Sequence, residues 1–231
     1  MFAPGEVHLW ITALAGPSAA DWELLDRGEL ERARRFVHAR DGENFVARRA
    51  WLRRLLAAQA GVEPTRIEYH PYGNDKPVLS PRCNPGGLHF NYSHTGQLAL
   101  CAITTAGPVG VDIERVRTLP DLTDMAARNF TANERTTVLS TDRGVVEAFF
   151  DCWARKEAFI KATGEGMSRD LLGFDVGMTR PEGGMVRERC GDGQPWYVCR
   201  LNPGRGVAAA LCTRLPEPRL YWHRQVVGGI E

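Results

Sequence analysis

The stretch GVDIERV, residues 110–116, carries two acids, Asp112 and Glu114, at alternate positions of an apolar run that follows Pro108 and Gly110. Successive side chains of a strand point to opposite faces. Val109, Val111 and Ile113 therefore share one face, and Asp112 and Glu114 share the other. Two like charges on one face repel each other. Either that face is solvated or something positive sits between the acids.

Working outward, VHLWITAL at 7–14 alternates like a strand. Residues 21–60 read as helical, with Phe45, Ala47, Trp51, Leu52, Leu55 and Leu56 near one stripe and Gly61 as the stop. IEYHPYG reads as a short strand entering a turn, and 71–87, rich in Pro, Gly and Asn, as a loop. LHFNYSHTG places Ser93 and His94 in a loop before LALCAIT, a buried strand. Helical pattern returns around 121–139 and, strongly, at 147–163, where Gly164 stops it. LGFDVGM, PWYVCRL, GVAAALCTR and LYWHRQV close the chain as strands. The mixture predicts an α+β fold, and the AGP break at 106–108 divides the chain into 1–106 and 107–231.

Composition narrows the function. The 231 residues are 43% hydrophobic and 25% charged, enough for a sizeable core. A net charge of +1 gives no global field for nucleic acid or an anionic membrane, so any basic site is local. Six scattered cysteines, at 83, 101, 152, 190, 199 and 212, form no C-x-x-C pair and read as reduced thiols, with Cys101 and Cys212 in apolar runs. The opening apolar run is short and lacks a basic flank, and no later run nears the roughly 20 apolar residues of a membrane span. A cytoplasmic protein is expected.

On the helix at 147–163, Phe150, Trp153, Ala154, Glu157 and Lys161 fall near one face. Alone, Glu157 and Lys161 read as a surface i,i+4 pair worth ~0.3 kcal/mol. Together with Asp112 and Glu114, Glu157 completes a three-carboxylate, oxygen-only set of the kind that suits Mg²⁺. Ser93 and His94, being neighbours, do not make a triad; His94 is an anion donor or a plain loop histidine. Arg48, Arg49, Arg53 and Arg54 on the long helix read as a solvated face, as do Arg32, Arg34 and Arg35 before it, with Arg48 the exception. TGEG at 163–166 is too short for a phosphate loop.

GVDIE at 110–114 followed by WARKEAFIK at 153–161 resembles the 4′-phosphopantetheinyl transferases. NYSHT at 91–95, DKP at 75–77 and FVARRAWLRRLL at 45–56 fit the same family, in its surfactin-synthetase-activating type. The resemblance implies two similar α+β halves related by a pseudo-twofold, with coenzyme A in the cleft between them, in a monomer. It implies that Asp112, Glu114 and Glu157 are magnesium ligands. Lys161 lies near the pyrophosphate, Ser93 and His94 contact coenzyme A phosphates, Arg48 meets the 3′-phosphate, and Lys76 is the lysine of the loop motif. Asp75 stands where the family often has the glycine that lets backbone approach a phosphate. Glu29 stands where some relatives carry a basic residue.

The expected reaction is attack by a serine of an apo acyl or peptidyl carrier protein on the β-phosphorus of coenzyme A, releasing 3′,5′-ADP, as in secondary metabolite biosynthesis. Glu157 and Lys161 are its catalytic candidates, with Glu157 taking the serine proton directly or through a metal-bound water. Two rivals stay open. A magnesium-dependent phosphohydrolase would use the same acids with water as nucleophile. A non-catalytic carrier or nucleotide-binding module would keep the cleft without needing Glu157 and Lys161.

Overall fold

The computed structural model of the chain describes residues 2–72, 76–141, 144–178, 180, 182–188 and 193–225. Two four-stranded sheets form its centre. The first runs through Arg219–Gln225, Glu6–Ala13, Leu98–Thr104 and His89–Thr95, and the second through Val109–Arg115, Val207–Thr213, Tyr197–Leu201 and Gly183–Met185. Neighbours are antiparallel except that Arg219–Gln225 lies parallel to Glu6–Ala13. The last described strand therefore belongs to the first sheet.

The sheets pack on each other through Val7, Leu9, Leu100 and Ala102 on one side and Val111, Ile113, Ala209 and Leu211 on the other. The outer face of the first sheet, with Phe90, Cys101 and Ile103, receives Leu52, Leu55 and Leu56 of the helix Ala39–Ala60. The outer face of the second, with Val198, Ala210 and Cys212, receives Ala154, Ala158 and Ala162 of the helix Val145–Thr163. The layers are thus helix, sheet, sheet, helix: the expected α+β class. Each fully buried aliphatic side chain here contributes about 1.5–3 kcal/mol. Cys101 and Cys212 lie buried in these cores.

GVDIE behaves as its alternation requires. Val109, Val111 and Ile113 enter the core between the sheets, while Gly110, Asp112 and Glu114 turn toward the second long helix. The approach is close: a Cβ on Gly110 would stand 2.1 Å from the Ala158 carbonyl oxygen. Only glycine lets this helix lie against the strand that carries the acids.

Several expectations need correction. The helical stretch at 21–60 is three helices, Ala19–Leu24, Arg27–Arg34 and Ala39–Ala60. Asp26 starts the second, accepting the Glu29 N–H at 2.9 Å while Glu29 Oε2 accepts the Asp26 N–H at 3.1 Å. The span 71–87 is not all loop, because Tyr69–Tyr72 and Lys76–Leu79 pair as a hairpin and Pro81–Cys83 makes a 3₁₀ turn. Ser93 and His94 lie on the strand His89–Thr95, not in a loop. The pattern at 121–139 is two helices, Leu122–Asn129 and Ala132–Leu139, the second begun by Thr131. In LGFDVGM only Phe174–Asp175 is strand. Asp75 and Cys190 lie outside the described residues.

The arginines of the first long helix are not uniformly solvated. Arg53 is 1% exposed and Arg49 is buried. Arg49 Nε donates to Glu29 Oε1 at 2.6 Å, and Arg53 Nε to Glu29 Oε2 at 2.8 Å. Glu29 is thus an internal anchor between two helices, and its acidic identity has a structural reason. A buried carboxylate needs such partners. No helix among the described residues is long and apolar enough to cross a membrane.

Candidate active site

His89–Thr95 is the outer strand of the first sheet and Val109–Arg115 the outer strand of the second, and they lie side by side. With the helix Val145–Thr163 they bound a cavity of about 510 Å³. Lys76, Ser93, His94, Asp112, Glu114, Glu157 and Lys161 all line it. Seven of the eight residues named from sequence are brought to one place. Arg48 is outside the lining.

Asp112 is the hub. It is 3% exposed, and its Oδ1 accepts from Lys161 Nζ at 2.6 Å and from Ser93 Oγ at 2.7 Å. Lys161 Nζ also donates to Ser93 Oγ at 2.9 Å, closing a triangle. The other carboxylate oxygen, Asp112 Oδ2, is buried with no hydrogen-bond partner among the described residues. The i,i+4 pair expected of Glu157 and Lys161 is therefore not what the lysine makes: it crosses to the strand.

The remaining acids are short of positive charge. Burial, with Asp112 beside it, pushes the Glu114 carboxyl up to about 7. Burial also raises Glu157; Lys161 opposes this and Asp112 adds to it. Lys161 faces all three carboxylates and Arg117 adds to it only at Glu114, yet the two acids remain raised, which favours an incoming cation.

The basic and neutral donors sit around this core. Lys76 Nζ donates to the Val109 carbonyl at 2.9 Å and the Ala162 carbonyl at 3.2 Å, tying the strand to the end of the helix. Burial pushes it down to about 8, and no carboxylate pairs with it among the described residues. His94 stands at the open rim. Desolvation of its ring, with the positive charges of Arg48 and Lys161, pushes it down to about 4. It is therefore neutral at pH 7 and offers one N–H rather than a cation. Arg48 is near enough for its charge to act on His94, and it interacts likewise with Tyr92 and Asp41.

Sequence reasoning missed Asn91, Tyr92 and Ile160, which also line the cavity. Trp153 was noted only as part of the apolar face. Gly164 does end the helix, in a left-handed conformation at φ 76°, and with Gly166 it also forms cavity wall. The signal for Asn91 was the polar alternation Asn91, Ser93, Thr95, which has meaning only on a strand.

The donor set suits Mg²⁺ in kind: it is all oxygen, and one of those oxygens is orphaned. Among the described residues, no group of three or more His, Cys, Asp or Glu stands close enough to grip an ion. The acids line one wall while Asp112 is held by Lys161. Chemistry and charge fit the ion; gripping it requires the side chains to turn toward one another.

Comparison with known proteins adds an independent finding. Residues 108–212 match the family model described as 4′-phosphopantetheinyl transferase superfamily, and residues 16–106 match 4′-phosphopantetheinyl transferase, N-terminal. The chain is 34% identical over 223 residues to the 4′-phosphopantetheinyl transferase HetI of Nostoc sp., covering 94% of this chain and 92% of that one. It is 29% identical over 188 residues to the 4′-phosphopantetheinyl transferase Sfp of Bacillus subtilis, covering 81% of each. Against the crystal structure of Thermotoga maritima holo-[acyl-carrier-protein] synthase, the TM-score is 0.33 at 22% identity, over 48% of this chain and 64% of that one.

Proposed function

This chain belongs to the 4′-phosphopantetheinyl transferase family, and we propose that it moves the phosphopantetheine arm of coenzyme A onto a serine of an apo acyl or peptidyl carrier protein, releasing 3′,5′-ADP. The observation that carries this reading is the single cavity in which Asp112, Ser93 and Lys161 bond to one another beside Glu114 and Glu157.

In the proposed reaction the serine oxygen forms a bond to the β-phosphorus, and the bond from that phosphorus to the bridging oxygen of 3′,5′-ADP breaks. The serine proton goes to Glu157. Burial raises its affinity for protons, which makes it a stronger proton acceptor than an exposed carboxylate. Lys161 has three N–H donors and spends two on Asp112 and Ser93. Its charge stabilises the pyrophosphate oxygens as negative charge shifts to the leaving group. Asp112, Glu114 and Glu157 would hold Mg²⁺, which when bound supplies charge neutralisation on the pyrophosphate.

Around this centre, Lys76 is a cation without a carboxylate partner among the described residues, and a phosphate would supply its counter-charge. Ser93 and the neutral His94 supply hydrogen-bonding groups, and Arg48, whose charge reaches His94, would read the 3′-phosphate. The same reading divides the chain at 106–107, with Arg219–Gln225 crossing back to complete the first sheet. It takes the protein as a cytoplasmic monomer.

Mass spectrometry of an apo carrier domain incubated with coenzyme A, Mg²⁺ and the protein tests the reading. A gain of about 340 Da on the carrier, the mass of the arm such a transfer delivers, supports it. Release of phosphopantetheine with the carrier unmodified would make the protein a phosphohydrolase. No change in either would leave a binding module.

A further inference from the structure

The two sheets meet at a seam that is not a backbone ladder. His89–Thr95 and Val109–Arg115 are outer strands of different sheets, yet they run side by side in the same direction. Two side chains of one strand accept backbone N–H groups of the other. Asn91 Oδ1 accepts the Val111 N–H at 2.9 Å, and Thr95 Oγ1 accepts the Arg115 N–H at 3.1 Å. The offset is the same at both positions. Between them, Ser93 donates to Asp112. The alternate positions 91, 93 and 95 are therefore all spent across the seam.

We infer that Asn91 and Thr95 are positioning residues: their side-chain oxygens seat the Val109–Arg115 strand at one register, and that register delivers Asp112 to Ser93 and Lys161. This rests on the transferase reading of the cavity for its catalytic consequence. An outer strand leaves a row of N–H groups unpaired, and Val111, wholly buried, has no water to satisfy its own. Asn91, also buried, provides the acceptor. Its oxygen is identified by the N–H that points at it, so the amide orientation is fixed. The ladder with Val207–Thr213 already fixes the face that Asp112 and Glu114 take; what it leaves open is where this strand stands along His89–Thr95, and a slip there would carry Asp112 away from Ser93. No backbone ladder joins these two strands to forbid it, so the side-chain acceptors are what hold the register on this side.

The test compares Asn91→Leu, Asn91→Thr and Thr95→Val with the wild-type chain. Leucine fills the space without an acceptor. Threonine keeps one, as Thr95 does two positions on. In Asn91→Leu the Val111 amide should exchange its hydrogen at least about tenfold faster in the free protein. Its kcat at saturating coenzyme A should fall of order ten- to a hundredfold, the scale of a small misplacement, while KM for coenzyme A moves less than about twofold. Asn91→Thr should recover both readouts. Unchanged Val111 exchange, or wild-type kcat despite fast exchange, overturns the inference. If Asn91→Leu does not fold, Thr95→Val decides through Arg115 exchange and kcat, and wild-type values of either overturn it. A wild-type chain that fails to modify any carrier would instead sink the transferase reading. The exchange measurement needs no reaction and still decides whether Asn91 holds the strand.

Discussion

Lys161 Nζ lies 2.6 Å from Asp112 Oδ1, while Asp112 Oδ2, on the same carboxylate, is buried without a partner among the described residues. One oxygen is paired and the other has a lone pair open to a cation. Removing either residue should have different effects. Asp112→Asn takes away the charge but keeps the shape, so it should abolish Mg²⁺-dependent turnover with the fold retained. Lys161→Ala leaves a buried charge with less compensation and should lower stability by about 1–3 kcal/mol while keeping a Mg²⁺ requirement. Steady-state rates across Mg²⁺ concentration, with thermal melts beside them, check both. Normal turnover in Asp112→Asn at ordinary Mg²⁺ would remove Asp112 from the metal.

Glu157→Gln separates catalysis from stability in the opposite direction. The folded protein already disfavours the charged form of Glu157 through burial. Neutral glutamine should therefore leave the melting temperature unchanged or raised at pH 7. The chemical step should fall by about 10²–10⁴-fold, the usual contribution of a positioned base. A surface ion pair would instead change stability by a few tenths of a kcal/mol and leave the rate alone. Single-turnover kinetics distinguish the two, and a wild-type rate returns Glu157 to an ordinary helix residue.

Arg48→Ala should weaken coenzyme A more than 3′-dephospho-coenzyme A. A charge-assisted contact is worth about 1.5–3 kcal/mol, so a loss of roughly tenfold or more is expected for the first ligand only. Titration calorimetry with both ligands measures it. Equal losses would place Arg48 away from the 3′-phosphate and leave it as one of two cations that, after desolvation, lower His94.

Lys76 sets a pH dependence. Burial lowers its folded-state value to about 8, below the ~10.4 of a free lysine. The ammonium is therefore lost from the free enzyme as pH rises through 8, while an unfolded chain keeps it to higher pH. For binding, kcat/KM for coenzyme A should decline above pH 8, by at most about tenfold per pH unit. For stability, the unfolded chain binds the extra proton between pH 8 and about 10.4, so this residue makes the fold relatively more stable as pH rises across that window. Lys76→Met should show a low kcat/KM with no inflection at pH 8. An unchanged inflection assigns it to another group.

Much of the site was legible because strand and helix periods are local. The alternation of GVDIE alone put Asp112 and Glu114 on one face, and the 3.6-residue period put Trp153, Glu157 and Lys161 on another. Gly110 and Gly164 were visible as chain-breakers. What they permit, a helix lying almost on the strand and an end cap that doubles as cavity wall, was not.

Identity and spacing along the chain fixed the acids, the lysines and the faces they share, because those follow from backbone geometry within a few residues. Tertiary structure alone decided who meets whom. Ser93 and His94 looked like a loop, since the polar alternation 91, 93, 95 lacks a wholly apolar face opposite it; only pairing with Leu98–Thr104 and the seam to Val109–Arg115 show a strand. Nothing local marks Glu29 as buried, and only the tertiary structure closes Arg49 and Arg53 over it. Arg219–Gln225 could not be matched to Glu6–Ala13, some two hundred residues away, because strand pairing is a long-range choice made by the burial of both faces at once.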